Sequence, residues 1–386
     1  MGGMKHVLTL VLLPLAPILA SCAKPVAGES TVGALPFAVQ PMGKFDEPWA
    51  IAFLPGDAPA ALVTERGGKL LLWREGGETR TVSGTPKVAY RGQGGLGDVA
   101  LAPDFATSGT VYLSWAEEGF GDTRGAAVGR ARLVVDGTPR LENLQVIWRQ
   151  QPKVTGDGHY SHRIAFSPDG AYLFVSSGER QKFSPAQDLD SNLGKIVRLQ
   201  LDGSPAAGNP FAARGGVSQE VWSYGHRNVL GLKFDRQGRL WDLEHGPRGG
   251  DELNLVRPGA NYGWPLVSDG DHYDGRSIPR NYTRPDLARP AISWNPVIAP
   301  GDMIFYRGNL FPAWRDHVLI AGLASEALVD VKIDGDTARE VARHAFGARL
   351  RDIAQREDGS VWVLEDGPGA RLLKLSPRAA KATATP

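Results

Sequence analysis

Along the chain, short runs of large apolar residues are each stopped by a turn of Pro, Asp or Gly, with little of the three-and-four spacing of amphipathic helices. One phrase recurs: an apolar strand, a Pro/Asp/Gly turn, then a second strand of large apolar residues. It runs from Trp49-Ala50-Ile51-Ala52-Phe53 into Ala61-Leu62-Val63-Thr64-Glu65, and from Val99-Ala100-Leu101 into Val111-Tyr112-Leu113-Ser114-Trp115. The clearest copy is Ile164-Ala165-Phe166-Ser167-Pro168-Asp169-Gly170 into Tyr172-Leu173-Phe174-Val175. Three more begin at Leu232, Met303 and Ile353. Each copy predicts one hairpin, and the residues between copies leave room for two further strands, the content of a propeller blade. Six copies therefore predict an all-β fold, a six-bladed β-propeller of four-stranded antiparallel blades over residues 36–376. A β-sandwich has similar hairpins but no reason to repeat one phrase six times.

The first residues follow a different pattern. Lys5 and His6 precede an apolar stretch from Val7 to Ala20, short for a bilayer span and suited to a signal-peptide core. Leu19-Ala20-Ser21-Cys22 resembles the bacterial lipobox, in which the cysteine is lipidated and becomes the mature amino terminus. The alternative is an ordinary signal peptide with a chance cysteine. Cys22 is the chain's single cysteine, so the mature domain is expected to carry neither disulfide nor thiolate chemistry. The expected organisation is a lipoprotein signal peptide (1–21), a tether after the lipidated cysteine (22–35), the propeller, and a disordered tail (377–386). Ala23 and Lys24, with no Asp after the cysteine, favour a periplasm-facing lipoprotein of a Gram-negative outer membrane.

Composition narrows the partners. Lys and Arg number 43 against 42 Asp and Glu, a net charge of +1, which offers no field for nucleic acid. Abundant Gly (48) and Pro (28) agree with many short strands and tight turns, not with a helix bundle.

Propellers place chemistry in loops at one mouth of the channel, and four inserts interrupt the repeat. They are Gly92–Asp98, Asp157–Arg163, Trp222–Asn228 and Glu244–Glu252. In the last, Asp251-Glu252 adjoins a Gly-Pro turn and precedes Asn261-Tyr262-Gly263-Trp264-Pro265. Carboxylates with glycine-exposed carbonyls suit a hard cation such as Ca²⁺, although a tight turn with a surface ion pair fits the same residues. The eight histidines lack the spacing and partners of a zinc site. His159, just before an inner strand, is a candidate general base if Glu179 or Asp157 orients it. His162 and His226 read as structural. Arg227-Asn228 pairs a forked cation with an amide, and Arg349 and Arg351 fall on one face of an extended chain. Cations converging on one mouth imply an anionic small ligand, whereas Arg351 alone, beside Asp352, reads as solvated surface.

Together these inserts resemble the soluble pyrroloquinoline-quinone (PQQ)-dependent aldose sugar dehydrogenases, the family that includes soluble quinoprotein glucose dehydrogenase. The likeness runs in order from about Pro48 to Leu375, carried by Gly92-Gln93-Gly94-Gly95-Leu96, Glu244–Glu252 and Asn261–Pro265. It implies catalytic roles for His159 as base, Glu179 as its orienting acid, and Arg227. It further implies that Gln93, His159, Arg227, Asn228, Arg349 and Arg351 contact PQQ. The Gly246 and Pro247 carbonyls would hold a Ca²⁺ beside the cofactor, and Glu252 with the Tyr262 carbonyl a second, structural Ca²⁺. The implied reaction oxidises an aldose at the anomeric carbon to a lactone and passes electrons to an envelope acceptor, a cytochrome or a quinone. Trp264, Tyr273, Tyr282 and Trp294 are candidate sugar contacts.

Three positions depart from the family pattern. His162 stands where a glycine is usual, Gly322-Leu323-Ala324 lacks a cofactor-binding lysine, and Gly301-Asp302 is expected to place an added carboxylate near the mouth. A propeller that binds sugar or protein without the cofactor, and a Ca²⁺-dependent lactonase-type hydrolase, are the competing readings.

Overall fold

The computed structural model describes Met1, Gly2 and residues 35–378. The expected signal peptide, Cys22, the tether before Leu35 and the tail beyond Arg378 lie outside the described residues. Six four-stranded antiparallel sheets follow one another along the chain, a six-bladed β-propeller. All six sequence phrases form the two inner strands of a blade. The innermost strands are Pro48–Phe53, Leu96–Leu101, Ser161–Phe166, Val229–Phe234, Pro300–Phe305 and Leu350–Gln355. The ring closes because Phe37–Phe45, from the start of the domain, pairs with Ala370–Pro377 as the outer strand of the last blade.

Packing between blades explains why the inner strands read as continuous apolar runs. Each sheet is covered on both faces, so both side-chain sets are buried, and six apolar clusters fill the six gaps between neighbouring blades. The exposed outer strand Thr337–Ala345 shows instead a strict alternation of exposed and half-buried positions.

Every innermost strand also breaks register with its neighbour near its first residues, as at Ser161/Ile164 and Leu350/Asp352. Such bulges re-aim side chains, and here they gather Asp98, Arg163, Asp302 and Asp352 into one buried network. The Arg163 guanidinium ties its own blade to four others. It donates to the Leu230 carbonyl (2.7 Å) and the Gly301 carbonyl (2.8 Å) and lies 3.3 Å from both Asp98 and Asp352. Asp98 and Asp352 in turn accept the backbone N–H of Ile164 and Ile51 from the next blades (2.8 and 2.7 Å).

Asp302, expected to add negative charge at the mouth, belongs to this network instead. Its carboxylate sits 3.0 Å from Lys233 Nζ and 3.9 Å from Arg163, so its charge is compensated. The bulge between Pro300 and Asp302 turned it away from the loop in which its sequence neighbours lie.

Replacing Arg163 by Met would leave three buried carboxylates facing Lys233 alone. A loss of about 3–5 kcal/mol of unfolding free energy is expected, read from denaturant titration by tryptophan fluorescence. A change within experimental error would show that the network is not a fastening of the ring.

Candidate active site

The loops leading into and out of the inner strands surround a cavity of about 300 Å³, lined by Gln93, Asn228, Arg349, Arg351, Trp49 and His162 among others. His159 stands on the turn before the inner strand Ser161–Phe166 and is buried. Its φ is +50°, and Ser161 and His162 are also left-handed at +56° and +61°, a conformation that persists in non-glycine residues only where the surroundings impose it.

Arg180 is part of what imposes it. This buried side chain donates to the carbonyls of Gly158 (2.9 Å), Gly156 (2.5 Å) and Arg124 (2.5 Å), and its guanidinium covers the Tyr160 ring at 3.7 Å. Gln93 adds a further tie, its Oε1 accepting the His159 backbone N–H at 2.7 Å. Gly178 packs so closely that a Cβ there would lie 2.0 Å from the His159 carbonyl oxygen.

The imidazole is oriented by Glu179, not Asp157. His159 Nδ1 lies 2.5 Å from Glu179 Oε1, and that carboxylate accepts backbone N–H groups from Gln181 (2.9 Å) and Phe183 (2.6 Å). Asp157 is engaged elsewhere, by Arg124 at 3.2 Å and Arg91 at 3.5 Å. With Nδ1 held by a carboxylate, Nε2 is the nitrogen free to accept a proton. Burial lowers the His159 pKa, the Glu179 hydrogen bond opposes this, and Arg227 and Arg180 lower it further. The net result is a neutral base at neutral pH.

Arg227 and Asn228 occupy the turn before the next inner strand. The Arg227 guanidinium reaches the His245 carbonyl (3.2 Å) and the Tyr273 hydroxyl (3.4 Å) and covers the Trp264 ring at 5.1 Å. Its Nε is buried without a hydrogen-bond partner among the described residues, which suits an incoming anion. Asn228 Oδ1 accepts the Ser161 hydroxyl at 3.2 Å and thereby ties the two turns together.

Arg349 and Arg351 both bind one acid that the sequence reading did not single out. Their Nε atoms donate to the two oxygens of Asp366 at 2.8 and 2.9 Å, so two cations share one charge. Asp352 points to the axial network, which leaves Arg351 to the cavity. Arg66 is a second unanticipated residue, a cation on the cavity wall that donates to the Gly94 carbonyl at 3.2 Å. Leu323 lines the same wall where the family pattern has its lysine nearby.

The two other histidines near the cavity are packing groups. His162 stacks on Trp49 at 5.0 Å and bonds Ser114 Oγ at 2.9 Å, and burial lowers its pKa to about 3. Its ring needs the space over Gly97, where a Cβ would lie 1.9 Å from the ring. His245 donates from Nε2 to the Pro300 carbonyl at 2.7 Å, and burial also holds its pKa at about 3.

The metal candidates divide by chemistry. Asp251 is a loop anchor, accepting the backbone N–H groups of Gly246, Ile298 and Ala299 at 2.8, 2.8 and 2.7 Å. That anchoring leaves the Gly246 and Pro247 carbonyls without a hydrogen-bond donor among the described residues, beside an open cavity that also reaches Tyr273. Glu252 accepts Asn281 Nδ2 at 2.8 Å, and burial and Glu244 push its pKa up to about 8. A small void of about 10 Å³ is bounded by Glu244, Glu252 and Tyr262. Carboxylates buried with unpaired carbonyls are the donor set of a hard divalent cation, so the residues present fit Ca²⁺.

Of the candidate sugar contacts, Trp264 and Tyr273 flank Arg227. Tyr282 is exposed on a short turn, and Trp294 is buried between two blades with its Nε1 on Glu340 (2.9 Å), away from the site. Phe183, half-exposed and stacked on Trp264 at 5.6 Å, joins the rim in its place.

The family described as glucose/sorbosone dehydrogenase matches residues 45–374. The chain belongs to that family.

Among its relatives, the Escherichia coli aldose sugar dehydrogenase YliI is 40% identical over 341 residues, covering 87% of this chain and 91% of that one. The crystal structure of the soluble aldose sugar dehydrogenase from Escherichia coli in its apo form superimposes with a TM-score of 0.85 at 39% identity, covering 89% and 100% of the two chains. The PQQ-bound aldose sugar dehydrogenase from Streptomyces coelicolor gives 0.71 at 28% identity, covering 88% and 98%. Membership in the glucose/sorbosone dehydrogenase family supports an oxidoreductase that oxidises sugars.

The His159 environment has a directly measurable consequence. An NMR titration of imidazole signals is expected to place His159 below the usual value of about 6.5, and Glu179→Gln is expected to lower it further by removing the one interaction that favours the imidazolium. A rise in the Gln variant would contradict the assigned dyad.

Proposed function

We propose that this protein is a PQQ- and Ca²⁺-dependent dehydrogenase that oxidises aldose sugars at the anomeric carbon to lactones. The observation that carries the proposal is the buried His159–Glu179 pair, next to the Tyr160, Ser161 and Asn228 wall of a cavity that Arg66, Arg349 and Arg351 also line, with the partnerless Nε of Arg227 beside Asn228. When bound, the quinone would supply the two-electron acceptor and Ca²⁺ a Lewis acid at its carbonyl.

The chain's own residues do the rest. Arg227, Asn228, Arg349 and Arg351 are the groups for the cofactor's carboxylates, with bidentate guanidinium geometry setting its orientation. Gln93 keeps its amide nitrogen for the ligand while its oxygen positions His159. His159 Nε2 takes the proton of the anomeric hydroxyl, and Glu179 stabilises the imidazolium that forms. The Gly246 and Pro247 carbonyls would hold the catalytic Ca²⁺; Glu252 and the Tyr262 carbonyl would hold the structural one. Trp264, Tyr273 and Phe183 offer aromatic surface to the sugar.

A lactonase-type hydrolase would need free carboxylates meeting around a metal in the channel. Asp98, Asp302 and Asp352 are instead compensated by Arg163 and Lys233. A cofactor-free binding propeller has Ala324 in its favour, yet it has no use for a strained histidine held on a buried glutamate. The protein is also proposed to face the periplasm from a lipid anchor at Cys22 and to pass electrons to a cytochrome or quinone of the envelope.

Adding PQQ and Ca²⁺ to the chain purified from Ala23 onward is expected to give a bound-cofactor spectrum that aldoses reduce, with turnover in a dye acceptor. His159→Ala should bind the cofactor but lose at least about 100-fold in rate, as expected for a general base; chelation should abolish turnover. Absence of a bound spectrum at saturating cofactor would refute the quinoprotein reading. Separately, radiolabelled fatty acid is expected to label the full-length chain but not Cys22→Ala, and equal labelling would refute the anchor.

A further inference from the structure

Behind the Arg227–Asn228 turn lies a group of buried acids that the oxidation itself does not use. Asp242 and Glu244 belong to the strand Leu240–Glu244, and the register sets them opposite Asn254 and Glu252 of Asp251–Val256. All four side chains are buried. Directly opposed like charges in a sheet repel, and burial removes the solvent that would screen Glu244 from Glu252.

The compensation available from protein is small. His226 Nδ1 lies 3.5 Å from Asp242 Oδ2 and 3.2 Å from Glu244 Oε1, and no other basic side chain pairs with these acids among the described residues. The ligand atoms of His226, Asp242 and Glu244 all fall within 4.8 Å of one another. Asp242 Oδ2 is fully buried and accepts no hydrogen bond among the described residues. Glu244 also faces the void shared with Glu252 and Tyr262, whose volume of about 10 Å³ is near that needed for a single ion or water.

Glu244 has a second connection. Its Oε2 accepts the backbone N–H of Arg227 at 2.6 Å, while Oε1 faces His226 and Asn254 Nδ2 (3.3 Å). One carboxylate thus touches both the buried acid group and the turn that presents the cofactor-binding guanidinium.

We infer that Glu244 is a further ligand of the cation held by Glu252 and the Tyr262 carbonyl, and that its other oxygen makes it the positioning residue through which this cation fixes the Arg227–Asn228 turn. The inference rests on the calcium reading above. With the cation in place, Glu244 stays charged beside Glu252 and gives Arg227 N–H a charge-assisted partner. Without it, the repulsion is relieved by moving Glu244 off that N–H, and the turn loosens. Linkage then requires that calcium at this site tighten cofactor binding, and that cofactor tighten calcium, by the same factor.

The test uses the mature chain, stripped of metal and cofactor, as wild type, Glu244→Gln and Glu252→Gln. Calcium binding is measured by calorimetry without cofactor, PQQ affinity by absorption at fixed Ca²⁺, and the thermal midpoint in chelator. Wild type is expected to bind Ca²⁺ without cofactor. Glu244→Gln is expected to weaken both calcium and PQQ binding about tenfold or more, with a midpoint in chelator no lower than wild type because a buried charge has been removed. If Glu252→Gln loses calcium but Glu244→Gln binds calcium and PQQ like wild type, the calcium reading stands and the role of Glu244 falls. A wild-type chain that binds no Ca²⁺ overturns the calcium reading and this inference with it. A Glu244→Gln chain that melts lower in chelator shows a folding role instead, which also overturns the assignment.

Discussion

The structure depends on six sheets closing into a ring, with the innermost strands of all six blades brought together at its centre. Closure needs Phe37–Phe45 to complete the last blade, and it forces the six inner strands together at the centre. Their bulges turn charged residues inward, where Arg163 must be matched by Asp98 and Asp352 because an unpaired guanidinium would not be tolerated in a dry interior. This network lies directly below the cavity: the Trp49 ring lines the cavity and is covered by Arg163 at 4.0 Å. The floor of the site is therefore as rigid as the ring that supports it.

On that floor the protein concentrates strain and positive charge. His159, Ser161, His162, Arg180, Gln181 and Phe183 all take left-handed backbone, a cost accepted where Arg180, Gln93 and Glu179 over-determine the turn. The surrounding arginines do two things at once. They make the cavity wall cationic, and Arg227 and Arg180 lower the His159 pKa, which accords with the base proposed above. Glu179 pulls the other way, fixing the tautomer and providing for the imidazolium once a proton arrives.

The fold was legible because each blade repeats the same solution to being buried on both faces; Ile164–Gly170 into Tyr172–Val175 carries that solution in local sequence. The single residues of the site were legible where a loop motif announced them, as with His159 and Arg227. What escaped were partnerships made only once the chain folds back on itself, within a blade or around the ring. Asp366 meets Arg349 and Arg351 only because the last blade folds back on itself, and Arg66 reaches the cavity from the first. Glu179 and Asp157 were equivalent on paper until Arg124 took one of them. Asp302 and Trp294 were misread for a related reason: a bulge and a blade interface decide where their side chains point, and neither is visible in the neighbouring residues.

We propose that the C1–H bond of an aldose breaks at this mouth while His159 removes the hydroxyl proton. The most direct test is the rate of a single turnover, in protein loaded with cofactor and calcium, for an aldose carrying deuterium at C1 against the unlabelled sugar. A primary isotope effect on cofactor reduction, with the rate falling as His159 is protonated at low pH, is predicted. No isotope effect in a turnover that His159→Ala leaves unchanged would contradict this assignment.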